Sequence, residues 1–309
     1  MGFKHSFKRP NICFAFILLI ILLFIMPANA DWRADLGTFR IGIVNAELQK
    51  LSPLERERIR NAYADALKMP VEIIQMQDFP ALIDAQASSR VEYAIYSATA
   101  YATVWLACEC VEPLVAPVNF DGSTGVRAAL FLRDGQSLKT METSKGIAIA
   151  GQDSMPAFGL ALSEFTALHG PIKGSEPWLK IQPDVSTVVS TYLNHDIDGF
   201  FAVIPQNRTL ATALLTKDRV AIAMGADVPN LKAVWISDVV PNGPHVVRRN
   251  INPEAKQAVT TFLITLAAKD PELFDLIAPD NAINFVKISH SDYAAAISAT
   301  KALAAYSKK

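Results

Sequence analysis

Residues 119–125 of the chain read NFDGSTG and separate two similar halves of the sequence pattern. The two glycines and the small polar residues are typical of a segment that bends between two structural units. Before it, short apolar runs alternate with helical patterns from Phe39 onward, including a predicted strand at residues 71–76. A second such series follows from Ala128, with predicted strands at residues 179–182 and 220–223 and a helix near residues 207–216. The tail from Pro253 is predicted to be helical, with breaks near Pro271 and Pro279. Short apolar runs separated by helical patterns indicate βαβ units and a mainly parallel sheet. The sequence therefore predicts two α/β units joined at this segment.

A second rigid segment, PNGP at residues 241–244, marks the return to the first unit. We therefore expect residues 31–122 and 237–309 to form one lobe, with residues 123–236 inserted as the other. Ligands of open α/β sheets lie beyond the carboxyl ends of the strands. Two lobes of this kind predict a hinged clamshell that closes on a ligand. A rigid two-domain protein without a working hinge is the alternative.

The first thirty residues predict export. A basic start precedes an almost unbroken apolar run at residues 12–26, and small residues follow up to Ala30. This order is the signature of a secretory signal peptide. The apolar run is also shorter than the roughly 20 residues that a bilayer span needs. We expect cleavage after Ala30 and a periplasmic mature protein; a retained membrane anchor is the alternative.

The charge balance narrows the choice of partners. The leader contains three of the 29 basic residues and none of the 30 acidic ones, so the mature chain would carry 26 against 30, a net charge of −4. A mildly acidic chain argues against nucleic acid as a partner. A small anion in a cleft remains compatible with it, because local dipoles control such a site.

Two cysteines, Cys108 and Cys110, remain after the predicted cleavage, with Glu109 between them. A pair spaced so closely bridges only with strain, and no further Cys or His completes a zinc set. Buried thiols at a helix end are therefore the favoured expectation. A local disulfide is the alternative.

Two strand-to-helix turns are candidate binding segments. Residues 96–101 read YSATAY, where Ser97 or Thr99 can cap the helix that follows. Residues 151–156 read GQDSMP, with Ser154 near the start of another helix. Helix N-termini bind anions through their free backbone N–H groups. Ordinary capping is the simpler interpretation of either turn alone, whereas matching turns in two lobes favour an anion site.

Asp198 is a third candidate, because it opens a predicted strand, where an acid is disfavoured. Its carboxylate is expected to point into the cleft or to be solvated at the strand start. Signatures of enzymes are weak: Ser154 lacks the flanking glycines of a nucleophile elbow, and the histidines lack metal-ligand spacing. We therefore expect neither catalysis nor a cofactor.

Several segments that together span nearly all of the mature chain carry a family resemblance. They are FRIGI at 39–43, DFPALI at 78–83, VEYAIY at 91–96, GSTG at 122–125, and WIS at 235–237 with VPNGP at 240–244. In order and spacing they resemble the PhnD-like substrate-binding proteins of phosphate, phosphite and phosphonate ABC importers. The resemblance implies an α/β fold of the type II periplasmic-binding-protein class, with two lobes joined by two hinge strands. It also implies a monomer that delivers a phosphonate- or phosphate-like anion to ABC permease subunits in the inner membrane.

By position, the resemblance assigns Tyr96 to the family's pocket tyrosine, Ser154 to the first of its pocket serines and Asp198 to its acid. The chain departs from the family's pocket at other positions, because it has Met155 and Pro156 where hydroxyl residues are expected and Val185 where a histidine is expected. Lost donors matter, since burying an unpaired polar or charged group costs free energy. The ligand's identity is therefore left open.

Together, these arguments select a set of candidate ligand-binding residues: Tyr96, Ser97, Thr99, Tyr101, Ser154 and Asp198. Three other interpretations share the same fold. A periplasmic sensor would pass ligand binding to a membrane signalling protein, and an enzyme would need a nucleophile or base in the cleft. A binder of a small heterocycle would stack its ligand on aromatic residues such as Tyr96, Tyr101 or Phe120.

Overall fold

A computed structural model describes residue 2 and residues 31–44, 50–143, 145–151, 155–170, 176–207 and 231–307. The rest of the predicted leader, Ser154, and almost all of the helix and strand predicted near residues 207–223 lie outside this part. No helix among the described residues is long and apolar enough to cross a membrane. The chain forms two compact units, residues 1–37 and residues 38–309.

The first unit contains one short described helix, α1 (Trp32–Leu36), which begins after Asp31. The carboxylate of Asp31 accepts a hydrogen bond from the backbone N–H of Arg33 at 3.2 Å. An acid in this position satisfies one of the free N–H groups at a helix start.

Within the second unit, the first of two sheets has the strand order β12-β4-β11-β3-β1-β2 over the described residues. β1 pairs in parallel with β2 and β3, while β11 runs antiparallel to both β3 and β4. β4 therefore points the same way as β1, β2 and β3, and the four carboxyl ends share one edge. The strands are β1 (Phe39–Val44), β2 (Val71–Met76), β3 (Tyr93–Ile95), β4 (Val111–Asn119), β11 (His245–Arg248) and β12 (Ala282–Lys287).

In the part of the chain that the structure describes, six helices accompany this sheet, and most begin after a residue that can cap a helix. Ser52 and Glu55 form a reciprocal capping box at the start of α2, with Pro53 as the first helical residue. The helices are α2 (Pro53–Leu67), α3 (Phe79–Ala87), α4 (Ala98–Cys108), α7 (Pro253–Lys269), α8 (Pro271–Ile277) and α9 (Ala294–Tyr306).

The second sheet has the order β10-β5-β8-β6-β7, with β9 paired to β5. Here β6 runs parallel to β7 and β8, and β5 runs against β8, β9 and β10. The strands are β5 (Gly125–Arg133), β6 (Ile147–Ala150), β7 (Leu179–Gln182), β8 (Gly199–Pro205), β9 (Leu231–Ile236) and β10 (Val240–Pro241). Its helices are the π-helical segments Met155–Gly159 and Ala161–Phe165, α5 (Thr166–His169) and α6 (Val185–Leu193).

The strands of the second sheet lie in the chain between the two sets of strands that build the first. The prediction of a mainly parallel sheet is wrong. Of the ten strand pairings among the described residues, six are antiparallel. The reason is that the crossing and returning strands run against their neighbours.

The tail from Pro253 was predicted to be helical with breaks near Pro271 and Pro279. The helices α7, α8 and α9 confirm most of this, but β12 interrupts the tail and pairs with β4 along its outer edge. In β12 the side chain of Phe285 is buried, whereas that of Ile283 is exposed. Because apolar side chains of an edge strand can be exposed to solvent, β12 lacks the alternation of apolar and polar residues that marks a half-buried strand.

Cys108 and Cys110 form a disulfide, so the favoured expectation of two free thiols is wrong. Between them, Glu109 adopts the left-handed backbone conformation, with φ at 48°. This turn brings the two Cα atoms to 5.0 Å, within the range that a disulfide bridges. A disulfide is typical of proteins outside the cytosol.

The last helix, α9, packs against helices that lie beside each of the two sheets. It contacts α4 beside the first sheet and the π-helical segment beside the second. Gly159 makes the close approach possible, because a Cβ there would lie 3.1 Å from the carbonyl oxygen of Ala299. The rings of Phe158 and Tyr306 meet edge to face with centroids 5.0 Å apart.

Candidate ligand-binding site

The first crossing holds the carboxyl edges of the two sheets near each other. β4 ends at Asn119 on the carboxyl edge of the first sheet. β5 begins at Gly125, where Val126 pairs with Pro205 at the carboxyl end of β8. Only residues 120–124 connect the two edges, and a chain of that length spans at most about 20 Å.

The second crossing runs between the same two edges and is hydrogen-bonded to the first. β10 pairs Pro241 with Gly125, and His245 then pairs with Ile95 at the carboxyl end of β3. Between them, the N–H of Asn242 donates to the carbonyl oxygen of Thr124 at 2.8 Å. Both crossings therefore connect the edges where α/β sheets bind ligands.

Two glycines allow the crossings to pack this closely. A Cβ on Gly125 would overlap the carbonyl oxygen of Val240. A Cβ on Gly243 would overlap the carbonyl oxygen of Tyr96 and lie 3.1 Å from the Cα of Ser97. The second crossing is thus in direct backbone contact with the turn predicted to bind ligand.

Ser97 is the N-cap of α4, which confirms the predicted capping role. Its side-chain oxygen accepts a hydrogen bond from the N–H of Ala100 at 3.1 Å. Ser97 is exposed and Thr99, in the first turn, is half-buried. The first N–H groups of a helix lack intrahelical partners and carry the positive end of its dipole. A neutral hydroxyl cap leaves that partial charge available to an anion.

The two tyrosines of this turn lie in the interior. Tyr96 is 2% exposed, its hydroxyl donates to the carbonyl oxygen of Leu82 at 3.2 Å, and burial raises its pKa. Its ring lies 6.3 Å from the ring of Phe79. The ring of Tyr101 is buried, and its hydroxyl lies 2.8 Å from Nδ1 of His290. Both tyrosines support the turn, and direct ligand contact by either stays a prediction.

The corresponding turn of the second sheet follows β6. Gly151 has a φ of 59°, and its N–H donates to the carbonyl oxygen of Gln182 at 2.9 Å. Ser154 itself lies outside the described residues, so its role stays a prediction. The predicted helix begins at Met155 but is wound as a π-helix as far as Phe165. π-helical turns occur frequently at functional sites.

Asp198 lies at the amino edge of the second sheet, opposite the carboxyl edge that the crossings join. It immediately precedes β8, whose first residue Gly199 pairs with Ile147 at the start of β6. Its carboxylate accepts a hydrogen bond from the backbone N–H of Lys145 at 2.8 Å. We therefore correct its predicted placement, because the carboxylate caps the backbone at the amino edge and does not face the crossings.

Two acids that were not selected as candidates lie at the carboxyl edges instead. Asp78 follows β2 and accepts from the N–H of Ala81 at 2.8 Å. Asp184 follows β7 and accepts from the N–H of Thr187 at 2.7 Å, which lowers its pKa. Both caps have a φ of −153°. An acid one or two residues after a short apolar run was the sequence signal that could have found them.

Arg127 supplies a positive charge near the second crossing. Its guanidinium donates to the carbonyl oxygens of Gln206 at 3.2 Å and Ser237 at 2.6 Å. Nearby, the carboxylate of Glu164 accepts from the N–H of Asp238 at 2.7 Å, and burial raises its pKa. These contacts connect the end of β8 to the start of the second crossing.

A family model described as the periplasmic substrate-binding protein of the phosphonate ABC transporter matches residues 41–170. No curated protein matches the chain. The family consists of substrate-binding proteins and not of enzymes, in agreement with the expectation from the sequence. Its members are periplasmic, bind small ligands and work with permease and ATPase components.

Solved structures share the fold at low sequence identity. XAC2383 of Xanthomonas citri, bound to ATP, is 14% identical with a TM-score of 0.58 over 88% of this chain and 98% of that one. Mh-p37 of Mycoplasma hyorhinis is 10% identical, with a TM-score of 0.53 over 86% and 98%. Transferrin 1 of Manduca sexta is 10% identical, with 0.58 over 87% of this chain and 46% of that one.

At such identities the likeness shows the fold alone. The predicted family resemblance and fold class are both confirmed. Residues 41–170 match the model of the periplasmic substrate-binding protein of the phosphonate ABC transporter, in a chain with the type II periplasmic-binding-protein fold.

Proposed function

We propose that this protein is the solute-binding subunit of an ABC importer and that it binds a small phosphonate- or phosphate-like anion between the carboxyl edges of its two sheets. One observation carries the proposal. Both crossings connect those edges, and the hydrogen bond from Asn242 to Thr124 ties the crossings together. The match of residues 41–170 to the phosphonate family supports an anionic ligand.

The start of α4 is the proposed anion contact on the first sheet. Ser97 is exposed and Thr99 is half-buried there, and the first turn offers N–H donors with the dipole directed at the ligand. Ser154 is the proposed contact from the second sheet. Tyr96 and Tyr101 hold the α4 turn in place from behind, and Asp198 has no part in the proposed contact.

The two crossings are the proposed hinge. Gly122, with a φ of 78°, supplies a conformation that other residues adopt rarely. Closure would bring the turn after β6 toward the turn after β3, so that helix starts from both sheets contact the solute. α9 packs on α4 and on the π-helical segments and would move as part of the pivot.

We further propose that the leader is cleaved after Ala30 and that the mature monomer works in the periplasm. Its closed form would dock to permease subunits in the inner membrane. These proposals rest on the predicted leader and on the periplasmic location of the matched family.

Titration calorimetry tests the proposal directly. The purified protein is titrated with phosphate, phosphite, methylphosphonate and phenylphosphonate, and with glucose as a neutral control. We expect saturable binding of at least one anion at one site per chain and none of glucose. An absence of saturable binding for every anion would overturn the proposed function.

A further inference from the structure

Exposed apolar side chains are concentrated at the carboxyl edges. Phe79 is the first residue of α3 after β2, and Val185 is the first residue of α6 after β7; they are 37% and 51% exposed. Phe120 follows β4, and Ile283 lies beside the Ala282–Asn119 pair at that end of β4. The full set of large exposed apolar residues among those described is Leu54, Phe79, Phe120, Val185, Leu193, Ile264 and Ile283.

The charges at the same edges are unevenly placed. Asp78 precedes Phe79 and Asp184 precedes Val185, and each carboxylate caps its own helix. A carboxylate offsets the positive end of the helix dipole and repels a second anion. The α4 start, capped by the neutral hydroxyl of Ser97, has no such charge. An anionic group is therefore favoured at α4 and disfavoured at α3 and α6.

A contact between two aromatic rings connects the apolar start of α3 with the start of α4. The ring of Phe79 lies 6.3 Å from that of Tyr96, which immediately precedes Ser97. The apolar start of α3 is thus next to the anion-favouring start of α4. Ligand pockets are typically lined by apolar and aromatic side chains with a few polar groups that fix orientation.

We infer that the solute is an organic anion with an aromatic or branched apolar substituent, whose acidic group binds at the α4 start while the substituent packs on Phe79 and Val185. This inference rests on the proposed function and specifies its ligand class. A bare phosphate would leave both side chains uncovered. A substituent between them would remove apolar surface of the protein and of the ligand from water, which favours binding.

The test compares two anions that share a head group. Phenylphosphonate is expected to bind at least about 10-fold more tightly than methylphosphonate in titration calorimetry. Phe79→Ala and Val185→Ala should each weaken phenylphosphonate binding by about 5- to 10-fold and leave methylphosphonate within about 2-fold. Alanine favours the helical conformation, so either substitution at an exposed position should keep the helix start intact.

The chain provides matched controls. Leu193→Ala changes an exposed apolar residue at the other end of α6, and Ile264→Ala changes one in α7; these positions are 45% and 36% exposed. Neither change should affect the affinity for either anion. Circular dichroism of all four variants verifies that each is folded.

Two outcomes contradict the inference and are distinguishable from each other. If no anion binds, the proposed function fails and the inference fails with it. If methylphosphonate or phosphate binds as tightly as phenylphosphonate, or if the Phe79 and Val185 variants behave like the controls, the function stands and the apolar substituent is refuted.

Discussion

Gly243 lies where the second crossing touches the Tyr96–Ser97 turn, and only a hydrogen atom fits there. Gly243→Ala should therefore destabilise the protein by about 3 kcal/mol, because backbone atoms must move to relieve the overlap. The same shift should weaken solute binding. Denaturant unfolding and titration calorimetry measure the two effects.

Gly135→Ala is the control for that substitution. Gly135 has a φ of 85° and open space around its Cα, so the change should cost only the backbone strain, about 1 kcal/mol. Equal losses of stability for the two variants would show that the contact at Gly243 is unimportant.

His245 makes stability depend on pH. It is buried against Tyr93 and Phe285, and burial lowers its pKa to about 3. As the pH falls below about 6.5, the unfolded chain binds a proton at this histidine before the folded chain does. The stability that the neutral residue contributes is therefore present above pH 6.5 and is lost as the pH falls toward 3, by up to about 1.4 kcal/mol per pH unit.

His245→Gln should reduce the slope of the unfolding free energy against pH in this range. The reduction should be up to about 1.4 kcal/mol per pH unit, which corresponds to one proton fewer taken up on unfolding. The comparison uses the slopes and not the absolute stabilities, because a loss of packing in the variant lowers the unfolding free energy equally at every pH. Identical slopes from pH 6.5 to 4 for the two proteins would contradict the account of His245.

The number of free thiols shows both whether the leader is removed and whether the disulfide is formed. The chain contains Cys13 in the predicted leader and the bonded pair Cys108 and Cys110. Alkylation without reductant, read by intact mass spectrometry, should modify no thiol in the exported protein and two after reduction. One modified thiol before reduction would mean that the leader is retained, and two would mean that the disulfide is absent.

At the scale of elements, the start of α4 carries the proposed anion contact. Ser97→Ala removes its cap and should cost about 1 kcal/mol of stability and weaken anion binding by about 5-fold. Asn252→Ala removes a similar cap from α7, which follows β11 at the amino edge of the first sheet.

The Asn252 variant should lose comparable stability and keep full affinity. Calorimetric titration of both variants with the tightest anion tests this. An equal effect of the two substitutions on affinity would remove α4 from the proposed site.

Several elements could be predicted from the sequence. β2 and β7 have the predicted bounds, because each is a short apolar run between turn residues. The turn at Ser97 was likewise predictable from a hydroxyl at a helix start. Asp198 could have been placed as well, because an acid that opens a parallel strand lies at the amino edge of the sheet, away from the edge where ligands bind.

Other features depend on contacts that sequence patterns do not encode. β12 forms because β4 offers a free edge, and its side chains alternate only weakly between buried and exposed. The disulfide depends on the left-handed conformation of Glu109, which no residue type at that position requires.

For the whole molecule, the arrangement predicts closure about the two crossings. Gln77 and Pro183 immediately precede the caps Asp78 and Asp184, and both are exposed. Spin labels on Gln77→Cys and Pro183→Cys would therefore report the separation of the two carboxyl edges. In the mature chain, Cys108 and Cys110 are bonded to each other and do not react with the label.

Pulsed electron paramagnetic resonance on this doubly labelled protein, with and without the anion that binds most tightly, measures whether the two carboxyl edges approach each other when the solute binds. We predict a distance distribution that shifts to shorter values by several ångströms when the anion is added. An unchanged distribution at saturating anion would contradict a cleft that closes between the two sheets.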